Sequence, residues 1–311
     1  MQLEYEDYSH HIGLKASHKL GRIQSLPIRG VNRLAQLLTK IVPTPDPKGL
    51  CLIETIHGFN MLVDPVQGKG LEEALFLYGT YEEGTLRIFN HILNAGDTFI
   101  DIGANIGLMS LHAATILRGS GKVISFEPFP SAYDILVQNI SLNKFRNIEA
   151  MNLAIGSMNG TVDIFANPAI NRASSSLIRP NHAETSHRIA IKKLDDYLEE
   201  RGYNRIRCIK IDVEGWELEV LKGAVNTLSG RGAPVCVIEC STLHPIYGGD
   251  TQDIYTLLRS VNSYRLFRLA GGKEKPSKLL EIQVKENLPK HDNLFCFLPE
   301  HIRELPDQML G

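Results

Sequence analysis

The sequence predicts an α/β protein with a Rossmann-like fold, a seven-stranded, mostly parallel sheet with an antiparallel last strand, preceded by an N-terminal extension. Three observations carry that expectation. From residue 98 onward, short apolar runs alternate with segments of helical periodicity, the pattern of parallel strands joined by crossover helices. Glycines and acids gather where those strands end, which is where open α/β sheets take their ligands. The last two strands have too little chain between them for a long crossover helix, so they are most simply antiparallel.

Residues 1–48 differ in character and read as a helical extension with a Pro-rich connector. They begin polar, with His10, His11 and His18, and end in Pro43-Thr44-Pro45-Asp46-Pro47, where closely spaced prolines forbid helix. Between them Leu34, Leu37, Leu38 and Ile41 recur at helical spacing and predict an amphipathic helix over 31–42. Its simplest role is to pack on the main domain, 49–311. There, 98–102 is the first strand and 107–117 its helix; 122–126 is the second strand, followed by a helix over 131–142. Residues 148–155 are the third strand and 208–213 the fourth, with a helix over 215–228. The fifth strand is 234–239. Asp250 then caps a helix over 250–261 whose stripe is Ile254, Leu257, Leu258 and Val261. Segments 264–269 and 293–298 complete the sheet. Residues 157–207 interrupt the alternation as an insertion near the active site. They read as a hairpin of 160–166 with 188–191 around Ser174-Ser175-Ser176, then a short helix over 194–201.

The 311 residues suffice to bury a sizeable core. Lys and Arg number 33 against 35 Asp and Glu, a net charge of −2 that opposes broad attraction to nucleic acid or an anionic membrane. No run approaches the ~18–20 apolar residues of a membrane-spanning helix. Glu4, Glu6 and Asp7 stand where a signal peptide would be basic, so a soluble, cytoplasmic protein is expected. Cys51, Cys208, Cys236, Cys240 and Cys296 are odd in number, widely spread and mostly inside strand-like runs, which fits core thiols rather than a metal or redox site.

The strongest chemical signal lies between the first strand and its helix, Phe99-Ile-Asp-Ile-Gly-Ala-Asn-Ile-Gly107. A dinucleotide fingerprint needs glycines at its first, third and sixth positions. Here they fall at Gly103 and Gly107, with Ala104 and Asn105 between, and position 108 is Leu. An acid at Asp101 suits a ligand bearing an amine, which turns the reading from nicotinamide dinucleotide to S-adenosylmethionine. Glu127 closes the second strand, where a carboxylate can take both ribose hydroxyls. Phe129 could stack on an adenine or be a core aromatic at the helix start. Ala154, ending the third strand, is the next position around the pocket. Asp212 and Glu214 close the fourth strand and Glu239 the fifth, with His244 in the loop beyond.

FIDIGANIG, SFEPFP, LAIG, SSSL, KLDDYL, KIDVEGWELEVLKGA and VIE follow one another in the order and spacing of FkbM-type methyltransferases, which residues 80–240 resemble. The resemblance implies the Rossmann-like fold of class I methyltransferases. It also implies methyl transfer from S-adenosylmethionine, mostly to hydroxyl oxygens of sugars, glycolipids and polyketide-type natural products. Asp101, Gly103, Asn105, Gly107 and Glu127 would then hold the cofactor, and Asp212 and Glu214 would lie at the active site. Tyr81-Glu82 resembles the family's Tyr-Glu, which closes over the methionine end.

The expected reaction is O-methylation of a small-molecule or glycan acceptor with a free hydroxyl. Candidate bases are His244, first on its proton affinity, then Asp212 and Glu239. Metal-free transfer is favoured. The alternative, Mg²⁺ on Asp212 and Glu239, would place Cys240 where a third oxygen ligand is convenient. Two other classes compete: a nicotinamide-dependent oxidoreductase, disfavoured by the glycine spacing, and a non-catalytic module that keeps the cofactor pocket.

Overall fold

The computed structural model describes residues 3–24, 41–166, 177, 185–241, 247 and 249–311. The helix expected over 31–42 falls almost wholly outside these residues, as do the serine run and His244. What the extension does show is a helix the periodicity did not single out, Ile12–Gln24.

Strands β1 (Glu6–Asp7), β2 (Cys51–Glu54) and β3 (Asn60–Val63) form a small sheet in that order, β1 parallel and β3 antiparallel to β2. Helices Leu71–Tyr78 and Glu83–Ile92 follow, the first ending on Gly79 in the left-handed conformation. Then come β4 (Thr98–Ile102), β5 (Lys122–Phe126) and β6 (Ile148–Met151), separated by helices Leu108–Leu117 and Pro130–Leu142. A second small sheet, ordered β7-β9-β8, is made by β7 (Ala154–Ile155), β8 (Gly160–Ala166) and β9 (Thr185–Lys192). The expected third strand is therefore broken. Its last two residues leave the main sheet to pair with β9, and the expected hairpin of 160–166 with 188–191 forms in that second sheet.

After helix Leu194–Arg201 come β10 (Cys208–Ile211), β11 (Val235–Ser241), β12 (Arg265–Leu269), β13 (Leu279–Ile282) and β14 (His291–Phe297). The main sheet runs β13-β12-β14-β11-β10-β4-β5-β6, with β14 antiparallel to both its neighbours. Eight strands stand where seven were expected. The addition is β13, a short edge strand formed by the chain between the last two predicted strands as it turns back on β12. The helix expected over 215–228 is two, Glu217–Lys222 and Val225–Ser229. The break falls at Gly223, where a Cβ would overlap the carbonyl oxygen of Gly156. Asp250 does cap its helix, accepting from the amides of Gln252 and Asp253 while Asp253 answers in a capping box. The five cysteines are buried free thiols.

The two faces of the main sheet bury separate apolar clusters. One holds Ile100, Ile102, Ile209, Ile211 and Ile238; the other holds Phe99, Cys208, Val235 and Val237. Because strand side chains alternate, Asp101, Lys210 and Glu239 share the second face, and Asp212 follows at the end of β10. Lys210 pairs with Asp101 in register and Ile211 with Ile238, so one residue further Asp212 comes beside Glu239. Register, not sequence proximity, assembles the site.

Candidate active site

A cavity of about 340 Å³ opens over the carboxyl ends of β4, β5, β10 and β11, within the usual size of a small-molecule site. On the β4 and β5 side, Asp101, Gly103, Ala104, Asn105 and Glu127 line it, with Ala154 beyond; on the other side stand Glu82, Asp212, Glu214 and Glu239. Of the residues singled out in the sequence, Gly107 and Phe129 do not line it. Gly107, at φ +99°, opens helix Leu108–Leu117. Phe129 is buried in the apolar cluster with Phe126 and Ala132, its ring roughly perpendicular to that of His187.

Asp101 is fully buried. Its Oδ2 accepts from the Ser110 hydroxyl at 2.6 Å, and Ser110 is in turn 2.7 Å from Ser125 Oγ. Its Oδ1 has no partner. Burial, more than any other influence, holds the Asp101 carboxyl above its ordinary range. Such an atom on a cavity wall suits a donor arriving with a ligand, and an amine meets that need. Glu127 directly follows β5 and accepts from two amides, Asn105 at 2.7 Å and Phe129 at 2.8 Å. It therefore pins the glycine turn of one strand to the helix start of the next. Burial outweighs these bonds and pushes the carboxyl up to about 7. Gly103, at φ +82°, has a reason that sequence reasoning did not supply: a Cβ would overlap the backbone oxygen of Asp212. The glycine admits β10, not only a ligand.

Two lysines that the sequence reading missed organise the acids. Lys210 is buried, and its Nζ donates to Asp212 Oδ2 at 2.7 Å. That ammonium holds Asp212 well below the usual carboxylate range despite burial. Lys273, from the turn between β12 and β13, donates to Glu239 Oε1 at 2.7 Å and contacts Glu82 Oε1 at 2.8 Å. Glu239 is nonetheless shifted upward, by burial and then by the Asp212 charge. A signal for Lys210 existed, since it stands two residues before Asp212 and alternation puts both on one face; Lys273 had none. Glu82 sits in the left-handed region at φ 50°, with Oε2 accepting from Asn293 at 2.8 Å. The turn after Asp212 is closed by Glu217, which accepts from the amides of Val213 and Gly215 at 3.1 Å each. There Glu214 adopts φ 51°, and burial raises its carboxyl to about 7. Among the described residues no three His, Cys, Asp or Glu side chains gather to hold a metal ion.

Sheet order and acid placement define a Rossmann-like α/β enzyme with its site at a topological switch point. The sequence model of the FkbM methyltransferase domain matches residues 101–266. A protein of Sordaria araneosa described as methyltransferase sdnD is 32% identical over 181 residues, covering 49% of this chain and 69% of the relative. Hexuronic acid methyltransferase AglP of Haloferax volcanii is 27% identical, covering 57% of this chain and 67% of its own length. The 2-O-methyltransferase NoeI of Sinorhizobium fredii is 28% identical over 42% of this chain and 58% of its own. The chain belongs to the FkbM family and is a methyltransferase.

Proposed function

We propose that the protein binds S-adenosylmethionine over the carboxyl ends of β4 and β5 and methylates a hydroxyl of a small molecule or glycan. The observation that carries this reading is the buried, unpartnered Oδ1 of Asp101 on the cavity wall, beside Glu127 and the Gly103–Asn105 turn. Asp101 would take the cofactor's amine, and Glu127 its ribose hydroxyls through lone pairs the two amides leave over. Two relatives whose names specify a hexuronic acid and a 2-O position suggest a sugar hydroxyl as acceptor.

The cofactor supplies the activated methyl group. The chain must align the acceptor, exclude water and take a proton, and general-base help of this kind is typically worth about 10²–10⁴-fold. Asp212, held ionised by Lys210, has little affinity for that proton; its part is electrostatic. Glu239, one strand over and with raised proton affinity, is the better base, and His244, which lies outside the described residues, retains its candidacy from the sequence.

The experiment is calorimetric titration with S-adenosylhomocysteine and, separately, NADH. Binding of the former, weakened about tenfold or more in Glu127→Ala, is expected, since hydrogen bonds to a charged group contribute about 1.5–3 kcal/mol. NADH binding without S-adenosylhomocysteine binding would return the oxidoreductase reading. A chain that binds the cofactor product yet methylates nothing in a broad panel of hydroxylated acceptors would be a binding module.

A further inference from the structure

Lys273 lies beyond the segment that matches the family, in a turn with no motif around it. It is nevertheless built into the cavity wall. The ammonium bridges Glu82 and Glu239 at 2.8 and 2.7 Å, and the three residues are 7%, 2% and 7% exposed. Its turn is anchored from both sides. The Lys273 amide donates to Asp292 Oδ1 at 2.8 Å, and the Glu82 amide donates to Glu274 Oε2 at 3.1 Å. Gly84 leaves room for the turn, since a Cβ there would press on the carbonyl oxygens of Lys273 and Lys275.

We propose that Lys273 is a positioning residue of the active site: it clasps Glu82 to Glu239 and sets the charge of Glu239, so that the cluster is short of positive charge until a sulfonium arrives. This rests on the cofactor reading above. Three carboxylates, Glu82, Asp212 and Glu239, pair directly with two ammoniums, Lys210 and Lys273, and two more, Asp101 and Glu214, face them, so acids outnumber cations. The charged groups facing Glu239 include Lys273, Asp212, which is hydrogen-bonded to it, Glu214 and, across the shared ammonium, Glu82; those facing Lys273 are Glu82, Glu239 and Asp212, with the Tyr81 hydroxyl nearby. In the absence of a cation the surplus negative charge is met by a proton on Glu239, the member whose proton affinity burial and Asp212 raise. A bound sulfonium would displace that proton and leave Glu239 ionised, ready to take one from the acceptor. The thioether product carries no such charge. Oε1 stays with Lys273 throughout, which leaves Oε2 to exchange the proton.

The test is titration of the full chain with S-adenosylmethionine and with S-adenosylhomocysteine across about pH 6 to 9, in buffers of differing ionisation enthalpy that report proton release. S-adenosylmethionine is expected to release more protons than S-adenosylhomocysteine near neutrality, and Glu239→Gln to abolish the difference. In Lys273→Met the carboxylate loses its ammonium, so the difference moves upward by about one to three pH units; Lys273→Arg brings it back. A lysine with only a scaffold role would weaken both ligands alike at every pH, and that result overturns the proposal. Should Lys273→Met fail to fold, Glu239→Gln decides, because excess proton release that persists without the carboxylate is equally fatal. Binding of both ligands with no charge-dependent difference overturns this proposal alone. Binding of neither brings down the cofactor reading as well.

Discussion

Asp101 holds a carboxylate where folding alone would not place one. It is fully buried, one oxygen has no partner, and burial raises its proton affinity. In Asp101→Asn the amide oxygen can still accept from Ser110, so the scaffold bond survives while the charge is lost. The expected outcome is S-adenosylhomocysteine binding weakened by about ten- to a hundredfold, with a melting temperature unchanged or raised. Titration and thermal melts on one preparation check it; a parallel loss of stability would instead make Asp101 a scaffold residue. Asp101, Glu127, Asp212 and Glu239 were legible in the sequence because they stand at or just beyond the ends of strands, whereas Glu82, ahead of a helix, was legible only through the family's Tyr-Glu. Their partners were legible only in part. Lys210 follows from strand alternation, whereas Lys273 reaches Glu82 and Glu239 across 191 and 34 residues of chain, a closeness no local pattern records.

At the scale of elements, short apolar runs and helical stripes placed every strand of the parallel core, because a buried parallel strand is apolar on both faces. They did not find β13, an edge strand, nor the breaks at Asn152 and Gly223, which answer to neighbours distant in sequence. Asn152 Nδ2 donates to the carbonyls of Glu127 and Pro128, both at 2.9 Å, where the chain leaves the main sheet. Helix Pro130–Leu142 has a similar role. Asn139 accepts from the Leu62 amide at 2.6 Å and donates to the Leu62 and Ile106 carbonyls, and Asn143 pairs with both backbone groups of Asn60 at 2.7 Å. Two asparagines one turn apart thus satisfy the edge of β3 as another strand would. Asn139→Ala leaves those buried groups unmet and is expected to cost about 2–4 kcal/mol. Urea unfolding would show it as a lower midpoint at unchanged slope.

At the scale of the molecule, the described part of the extension does not stand apart. Leu14 is buried in one cluster with Ile53, Leu62 and Phe76 and with Ile106, Leu108 and Leu111 of helix Leu108–Leu117 and the turn before it. His18 Nε2 donates to the Phe76 carbonyl at 2.9 Å, and β1 extends the β2–β3 sheet. Deleting residues 1–48 is therefore expected to lower the unfolding free energy by at least about 2 kcal/mol, the scale of one large apolar side chain re-exposed. Calorimetry should show a single transition in the full chain and a lower one in the truncated chain; equal stability would make the extension a dispensable arm. The sequence by itself determined the alternating α/β order, the family and the acids that end the strands, since each depends on residues near one another or on period-two alternation. Tertiary structure alone decided how close the acids stand to one another, that Lys273 answers Glu82 and Glu239, and that Gly103 serves the approach of β10. Those are matters of register between strands and of a turn folded back from far along the chain, and electrostatic energy depends on distance in space.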